Sequence, residues 1–450
     1  MRKSTSTSFT EQHFWLLLAV VVLAALAWRV LYVGVLVTKN PGFGDGFYYH
    51  QQANLLADGH GFANPWAAVE FNRIIPAAVH PPLYSLALAI PSMLGAESYL
   101  AHKLMSCLIG AGAVLVVGLV GRRVGGPRAG IIAATIAALY PNLWVLDSLL
   151  FSEGLFALLI GLTILSSYRF RERPTWGNVA VLGGLVAAAT LTRGEALFLS
   201  VFLIAPLVLM TKDLDLRRRV RLLAIAAGVV IVVLAPWVIR NLTSFEEPFL
   251  LSSNSDSVLR VANCDTTYSG YLVGYYAIRC GGGIPDGDGE ESKDAKNDRE
   301  IALDYLSRHT RQIPRVVAAR IGRAWDVYRP FQNARLSRIE GRHPRVTHYG
   351  LYAYWVVLPL GLAGMVVLYR RRITLIPLAA QLVLVTFVAV AAYGALRFRV
   401  PAEVALIALA GVSLDAGLGW LFRRPGSRPL EEPEEPVAEE PVPEPAGGSA

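Results

Sequence analysis

The residues that could do chemistry in this 450-residue chain are acids and cations set at the ends of long apolar runs. The first group is Gly42-Phe43-Gly44-Asp45-Gly46-Phe47-Tyr48-Tyr49-His50. A helix is expected from here to about Ala57, closed by Asp58–Gly59. Two readings of Asp45 stand together. Asp before a helix satisfies free N–H groups as an N-cap, and a carboxylate there can also take a proton from an attacking hydroxyl. Glu153 and Glu195 lie at the edges of apolar blocks, where acids are costly and functional by default. Glu195 can equally pair with Arg193. Arg193, Arg240, Arg397 and Arg399 sit at helix ends opposite those that carry most of the arginines. Singly, each can snorkel to the interface. Converging, they suit an anionic phosphate, which Arg grips with paired hydrogen bonds.

These groups need elements to hold them, and composition says which. Hydrophobic residues make up 54% of the chain and charged residues 17%. Soluble domains carry about 25% charged residues. The apolar residues come in blocks of roughly 17–24, enough to cross a hydrocarbon core about 30 Å thick. The fold class expected is therefore an all-α polytopic membrane protein with about ten transmembrane helices. They are placed near 14–37, 99–120, 130–147, 152–168, 177–192, 195–211, 220–239, 349–369, 373–393 and 400–421. The first block follows Met1-Arg2-Lys3, is too long for a signal-peptide core, and reads as a retained anchor.

Charge supplies the topology. Arg122, Arg123 and Arg128 share one turn, and Arg169, Arg171 and Arg173 another. Lys212 with Arg217–Arg219 and Arg221, then Arg370–Arg372, then Arg423 and Arg424 complete the set. With ten spans and a cytoplasmic N-terminus, every cluster lands inside. The net charge of +8 thus reads as a topology signal, with no nucleic-acid partner implied. Leu83–Leu94, bounded by Pro81–Pro82 and Gly95, reaches only about 20 Å. It is expected as an interfacial or re-entrant helix in the first external loop, 38–98. A second external region, 241–347, carries Cys264, Cys280, a Gly/Asp-rich run (Gly281–Gly289) and a helical pattern over Asp298–Tyr328 interrupted at Pro314. The division expected is thus 1–13 cytoplasmic, 14–240 membrane, 241–347 external, 348–422 membrane and 423–450 a cytoplasmic Pro/Glu tail too polar to order. Cys264 and Cys280 can form a disulfide in an oxidising compartment, or remain two thiols. The eight His are scattered, and no His/Cys cluster has zinc spacing.

Asp45 in Gly44-Asp45-Gly46-Phe47-Tyr48-Tyr49, then His80-Pro81-Pro82-Leu83-Tyr84, then Leu191-Thr192-Arg193-Gly194-Glu195, Ala235-Pro236-Trp237 and Leu396-Arg397-Phe398-Arg399-Val400-Pro401 together resemble the membrane-embedded GT-C glycosyltransferases. The likeness is greatest to the dolichyl-phosphate-mannose protein mannosyltransferases and aminoarabinose lipid A transferases. It extends over residues 14 to 421. Each motif is weak alone, and the match rests on their order.

That resemblance implies a plasma-membrane enzyme with its site on the extracytoplasmic side. A polyprenyl-phosphate sugar is the expected donor, and a protein, lipid or polysaccharide hydroxyl the acceptor, with inversion. The family's loop acid falls on Asp45 and its second acid on Glu153, with Asp147 the lesser candidate. His80, Arg193, Arg397 and Arg399 are expected to face the carrier phosphate, Arg397 foremost. No Asp-x-Asp stands directly after the Pro81–Pro82 pair, which points to a metal-independent monophosphate donor and no cofactor. The alternative from another class is a transporter or flippase for a lipid-linked or small anionic substrate. It would need polar or broken helices near the bilayer midplane, whereas these blocks are mostly Ala, Leu, Val and Ile.

Overall fold

Inside lipid every backbone N–H and C=O must find a partner within the chain, so apolar runs of this length wind into helices. The computed structural model describes residues 5–37, 44–212, 214–281 and 291–421, with 5–12 described by backbone alone. The 423–450 tail and most of the Gly/Asp-rich run lie outside the described residues. Among those described, nearly all secondary structure is helical, and the sole β feature is an isolated Ala63–Pro76 bridge.

Six helical segments are long and apolar enough to span: His13–Leu36, Tyr99–Gly125, Glu153–Glu172, Leu216–Ser244, Pro344–Arg370 and Leu396–Leu421. A seventh is the pair Pro127–Leu139 and Pro141–Leu149, bent by 48°. The bend falls at Tyr140-Pro141, where the proline ring pushes the preceding residue out of the helical region; Tyr140 sits at φ −75, ψ 111. The remaining expected spans are short. Trp176–Thr190, Gly194–Leu209 and Ile376–Ala391 have 15 to 16 residues, about 22–24 Å at 1.5 Å per residue. Gly194–Leu209 also changes winding, passing from 3-10 through π to α. The protein is an integral membrane protein of the polytopic helical kind. Its ten apolar segments all exist as helices, but three are shorter than a straight crossing needs.

Close backbone approach knits the bundle. A Cβ added at Gly118 would lie 2.8 Å from Leu18 and 2.9 Å from Ala134. One at Gly364 would lie 2.1 Å from the Leu409 carbonyl oxygen. Small residues at such crossings replace the hydrophobic drive that lipid does not supply. Leu83–Met93 is an 11-residue helix, about 17 Å long and too short to span.

The region after Leu216–Ser244 forms the helices Asn254–Ala262, Glu291–Arg308 and Ile313–Ala324, and it packs back on the membrane part through Arg320, which donates to the Val390 carbonyl, and Gly394 N, which donates to the Gly274 carbonyl. Pro314 does not interrupt a helix. It sits in the first turn of Ile313–Ala324, where a missing N–H costs nothing, and the break lies in Thr310–Gln312 before it. Cys264 and Cys280 are joined as a disulfide, with Cα atoms 6.4 Å apart.

Candidate active site

Gly44, not Asp45, is the N-cap of the Asp45–Ala57 helix. Its φ of +96 lies in the region glycine enters at little cost. Asp45 is thereby the first helical residue, and its carboxylate meets other partners. Oδ2 accepts a hydrogen bond from Arg397 Nη2, 352 residues away in sequence. Oδ1 stands 3.6 Å from His80 Nε2. Burial works against ionisation of Asp45, but the charges of Arg397 and His80 outweigh it and hold the carboxyl well below the usual carboxylate range.

Glu153 is the hub of the cluster. The Pro141–Leu149 helix ends at Leu150 in the left-handed region, and Glu153 opens the next helix. It is 0% exposed, and its Oε1 accepts from Arg397 Nε at 2.5 Å and from Arg193 Nη1 at 2.6 Å. A buried carboxylate without partners costs several kcal/mol on the order-of-magnitude scale, and the two guanidiniums offset that. Arg193 Nε also holds Glu195 at 2.5 Å, so Arg193 serves both acids. Phe151 lies 4.6 Å from the Arg397 guanidinium and Phe398 5.4 Å from that of Arg193, stabilising cations on ring faces. The chain of charge is Asp45–Arg397–Glu153–Arg193–Glu195. Asp45 is 23% exposed and Arg397 14%, so one end of it opens to the surroundings.

His80 stacks on Tyr49 and meets Tyr48 edge-on, each at 4.9 Å between ring centroids. The chain leading into it is held from two sides. Arg240 donates to Ala77 O at 3.0 Å and to Phe62 O at 2.8 Å. Ala78 N donates to Glu291 Oε1 at 2.9 Å, Ser253 N to Ala78 O at 3.1 Å, and Ser252 Oγ to Val79 O. Arg240 is therefore a backbone clamp for the His80 segment. Burial pushes the Glu291 carboxyl up to about 7, against the opposing pull of Ser253, Ala78 and Arg240.

The structure thus brings Asp45, His80, Glu153, Arg193 and Arg397 together, and it sets Arg399 apart from them. Arg399 is 0% exposed and pairs with Asp326 at 2.6 Å and Glu403 at 2.9 Å. Its guanidinium lies 3.5 Å from the Tyr354 ring centroid, sealed within the bundle. The expectation that Arg399 shares the Arg397 site is corrected on that ground. Asp147 also stands aside, paired with Arg29 at 2.9 Å in the interior. Among the described residues no group of three or more His, Cys, Asp and Glu is placed to hold a metal ion.

Three neighbours escaped the motif reading. Tyr393 lies within electrostatic reach of Arg397, Asp45 and Arg193, Tyr276 within reach of Arg397, and Glu340 within reach of Arg397. Tyr276 and Tyr393 touch each other at 4.8 Å. The disulfide-bonded segment 264–280 delivers Tyr276, a placement without any local signature.

Residues 79–239, just over a third of the chain, match the family model of the dolichyl-phosphate-mannose-protein mannosyltransferases. That stretch includes His80, Glu153 and Arg193 and leaves out Asp45 and Arg397. No curated protein matches the chain by sequence. Among solved structures, an oligosaccharyltransferase from Archaeoglobus fulgidus tethered to an acceptor peptide aligns with a TM-score of 0.53 at 15% identity, covering 92% of this chain and 51% of its own. The archaeal oligosaccharyltransferase AglB from Archaeoglobus fulgidus, in complex with an inhibitory peptide and a dolichol-phosphate, aligns at 0.51 and 14% identity with the same coverage. The chain spans about half the length of these structures. ArnT from Cupriavidus metallidurans, bound to undecaprenyl phosphate, aligns over 89% of this chain and 78% of its own at 17% identity, with a TM-score of 0.39, below the level at which a shared fold follows. The chain carries a polytopic fold resembling that of the GT-C glycosyltransferases, and over residues 79–239 it resembles the mannosyltransferases among them.

Proposed function

We propose that this protein is an inverting GT-C glycosyltransferase. It moves a monosaccharide from a polyprenyl-phosphate carrier to an acceptor hydroxyl at the extracytoplasmic membrane face. The observation that carries the reading is the meeting of Asp45 with Arg397, bridged by Glu153 to Arg193. A proton acceptor and two phosphate-gripping cations share one small site at the ends of spanning helices. The Cys264–Cys280 bond supports an oxidising compartment for the adjoining region.

In the proposed reaction the carrier phosphate competes with Asp45 for Arg397. Losing that partner, Asp45 returns toward an ordinary carboxylate and becomes the stronger base. The acceptor O–H proton passes to Asp45 while the acceptor oxygen bonds to the sugar C1. The bond from C1 to the phosphate oxygen breaks, and its electron pair leaves on the phosphate. Arg397, with His80 and Arg193 beside it, stabilises that charge. Glu153 fixes both guanidiniums and never takes the proton. Cations of the chain supply the neutralisation that a metal ion gives to diphosphate donors, so no metal step is invoked.

The test incubates the purified protein with radiolabelled polyprenyl-phosphate sugars and candidate acceptors. Asp45→Asn should keep the melting temperature and lose about 10²–10⁴-fold in transfer. Full transfer by a well-folded Asp45→Asn protein sinks the base role.

A further inference from the structure

A second site lies on the external side of the proposed topology, apart from the Asp45 cluster. A groove of about 570 Å³ is lined by Tyr271, Arg329, Phe331, Gln332 and Arg335 among others, and none of its lining residues is acidic. The Pro330–Leu336 helix forms one wall. Phe331 near its start meets Trp355 of the Pro344–Arg370 span edge-on, at 5.8 Å between ring centroids. Leu336 at its end packs in one cluster with Tyr275, Tyr393 and Ala395, and Ala395 is two residues from Arg397. The chain then runs on to Glu340, whose charge reaches Arg397. The other wall leads the same way. Tyr271 and Tyr276 share the disulfide-bonded segment, and Tyr276 lies within electrostatic reach of Arg397. The groove therefore opens toward the candidate active site.

Two features suit it to a ligand. Tyr271 O accepts from Arg323 Nη2 at 3.2 Å, Arg329 Nη1 at 3.1 Å and Gln332 Nε2 at 2.9 Å. Its backbone is thus fixed, yet the residue is 56% exposed and its ring makes no aromatic contact among the described residues. A rigidly presented ring loses little freedom when something binds. Arg329 holds the left-handed conformation at φ 51, ψ 50, which is costly for a residue with a Cβ. Its bonds to the Gly270 and Tyr271 carbonyls keep it there. The second feature is uncompensated charge. Arg335 is exposed, and its side chain has no ion pair or hydrogen bond among the described residues. Arg338 is exposed and unpaired in the same way. From Arg329 to Arg345 the arginines are Arg329, Arg335, Arg338, Arg342 and Arg345, against the single acid Glu340, which pairs with Arg342. Outside the membrane such a run opposes the positive-inside distribution, so topology does not account for it.

We propose that this groove holds an acidic glycan chain, with carboxylates on its sugar rings, as the acceptor that ends at Asp45. Arg335 grips a carboxylate with paired hydrogen bonds, while Tyr271 and Phe331 cover the apolar faces of sugar rings. The acceptor role rests on the glycosyltransferase reading; the binding does not. A glycan is favoured over an acidic peptide because the Tyr271 carbonyl already serves three donors and offers nothing to a peptide N–H, whereas two exposed rings match sugar faces.

The experiment titrates the full chain in phosphatidylcholine nanodiscs with fluorescently labelled oligogalacturonate and reads anisotropy. A maltooligosaccharide and an oligoglutamate of the same length are the controls. Oligogalacturonate should bind at least tenfold more tightly than either, and its binding should weaken with salt. Arg335→Gln should weaken it about tenfold. Tyr271→Ala keeps the carbonyl and its three donors, and should weaken binding about threefold. Both variants should melt as the native protein does, since neither side chain is engaged in the fold. Unchanged binding by both variants overturns the proposal. So does either control binding as tightly as oligogalacturonate. Displacement of the glycan by phosphatidylglycerol added to the nanodisc also overturns it, since the groove is then a lipid contact. Transfer is scored separately. Transfer to a neutral acceptor by a protein that binds no oligogalacturonate overturns this inference and leaves the transferase reading intact. Glycan binding without transfer from any polyprenyl-phosphate sugar overturns the acceptor role alone.

Discussion

Arg397 and Arg399 stand two residues apart on one short 3-10 turn, Leu396–Arg399, and they lead opposite lives. At three residues per turn, side chains two apart point about 120° away from each other. Arg397 reaches Asp45 and Glu153 at a partly open edge, while Arg399 reaches Asp326 and Glu403 in the closed interior. Both have two acidic partners, so charge alone does not tell them apart. Access does. A cation whose partners can be exchanged for a ligand is available for chemistry. One sealed with Tyr354 against its face is available only for holding helices together.

The comparison is sharpest under mutation. Arg399→Met should leave Asp326 and Glu403 buried without their cation and destabilise the protein by about 3–5 kcal/mol, read as lost expression or a much lower melting temperature. A native melting curve for that variant would erase the distinction. Arg397→Lys keeps the charge but loses the forked geometry. Its transfer activity should fall about 10²–10³-fold, with melting little changed. The paired variant Cys264→Ser/Cys280→Ser should loosen the segment that brings Tyr276 to the Arg397 side. The chain-entropy model gives about 3 kcal/mol for a loop of this size. The signature is earlier proteolysis within 264–280 while the spanning bundle melts as before.

The smallest effect belongs to Glu291. Its carboxyl titrates near 7 when folded and near the ordinary glutamate value when unfolded. Between those values the unfolded chain binds fewer protons, so stability falls as pH rises through that window. Glu291→Gln keeps the acceptor for Ala78 and removes the titration. It should stabilise the protein by about 1–3 kcal/mol at pH 8, with the gain vanishing near pH 4. A pH-independent gain in melting temperature would count against this account.

Much of the fold could be read in advance because apolar length is a strong signal. The ten segments are visible in blocks such as Val229-Val230-Ile231-Val232-Val233-Leu234. What failed is what depends on a three-dimensional neighbour. Gly44 rather than Asp45 caps its helix because the chain enters there at a positive φ, an angle no residue string displays. Arg399 looked like Arg397 because their difference is a rotation about a turn whose winding emerges only from packing. Glu291 lies 213 residues from the Ala78 peptide it holds, and nothing local marks it. By contrast Asp45, Glu153 and Arg397 were legible together, since acids and cations at the edges of apolar blocks carry a cost that demands partners.

The Asp45–Arg397 bond has a consequence for biosynthesis. Asp45 leaves the ribosome well ahead of its partner, which lies 352 positions behind it. Every intervening helix must be threaded before the two can meet. A chain whose synthesis has not yet reached Arg397 therefore leaves Asp45 without that cation, however well the earlier helices are inserted.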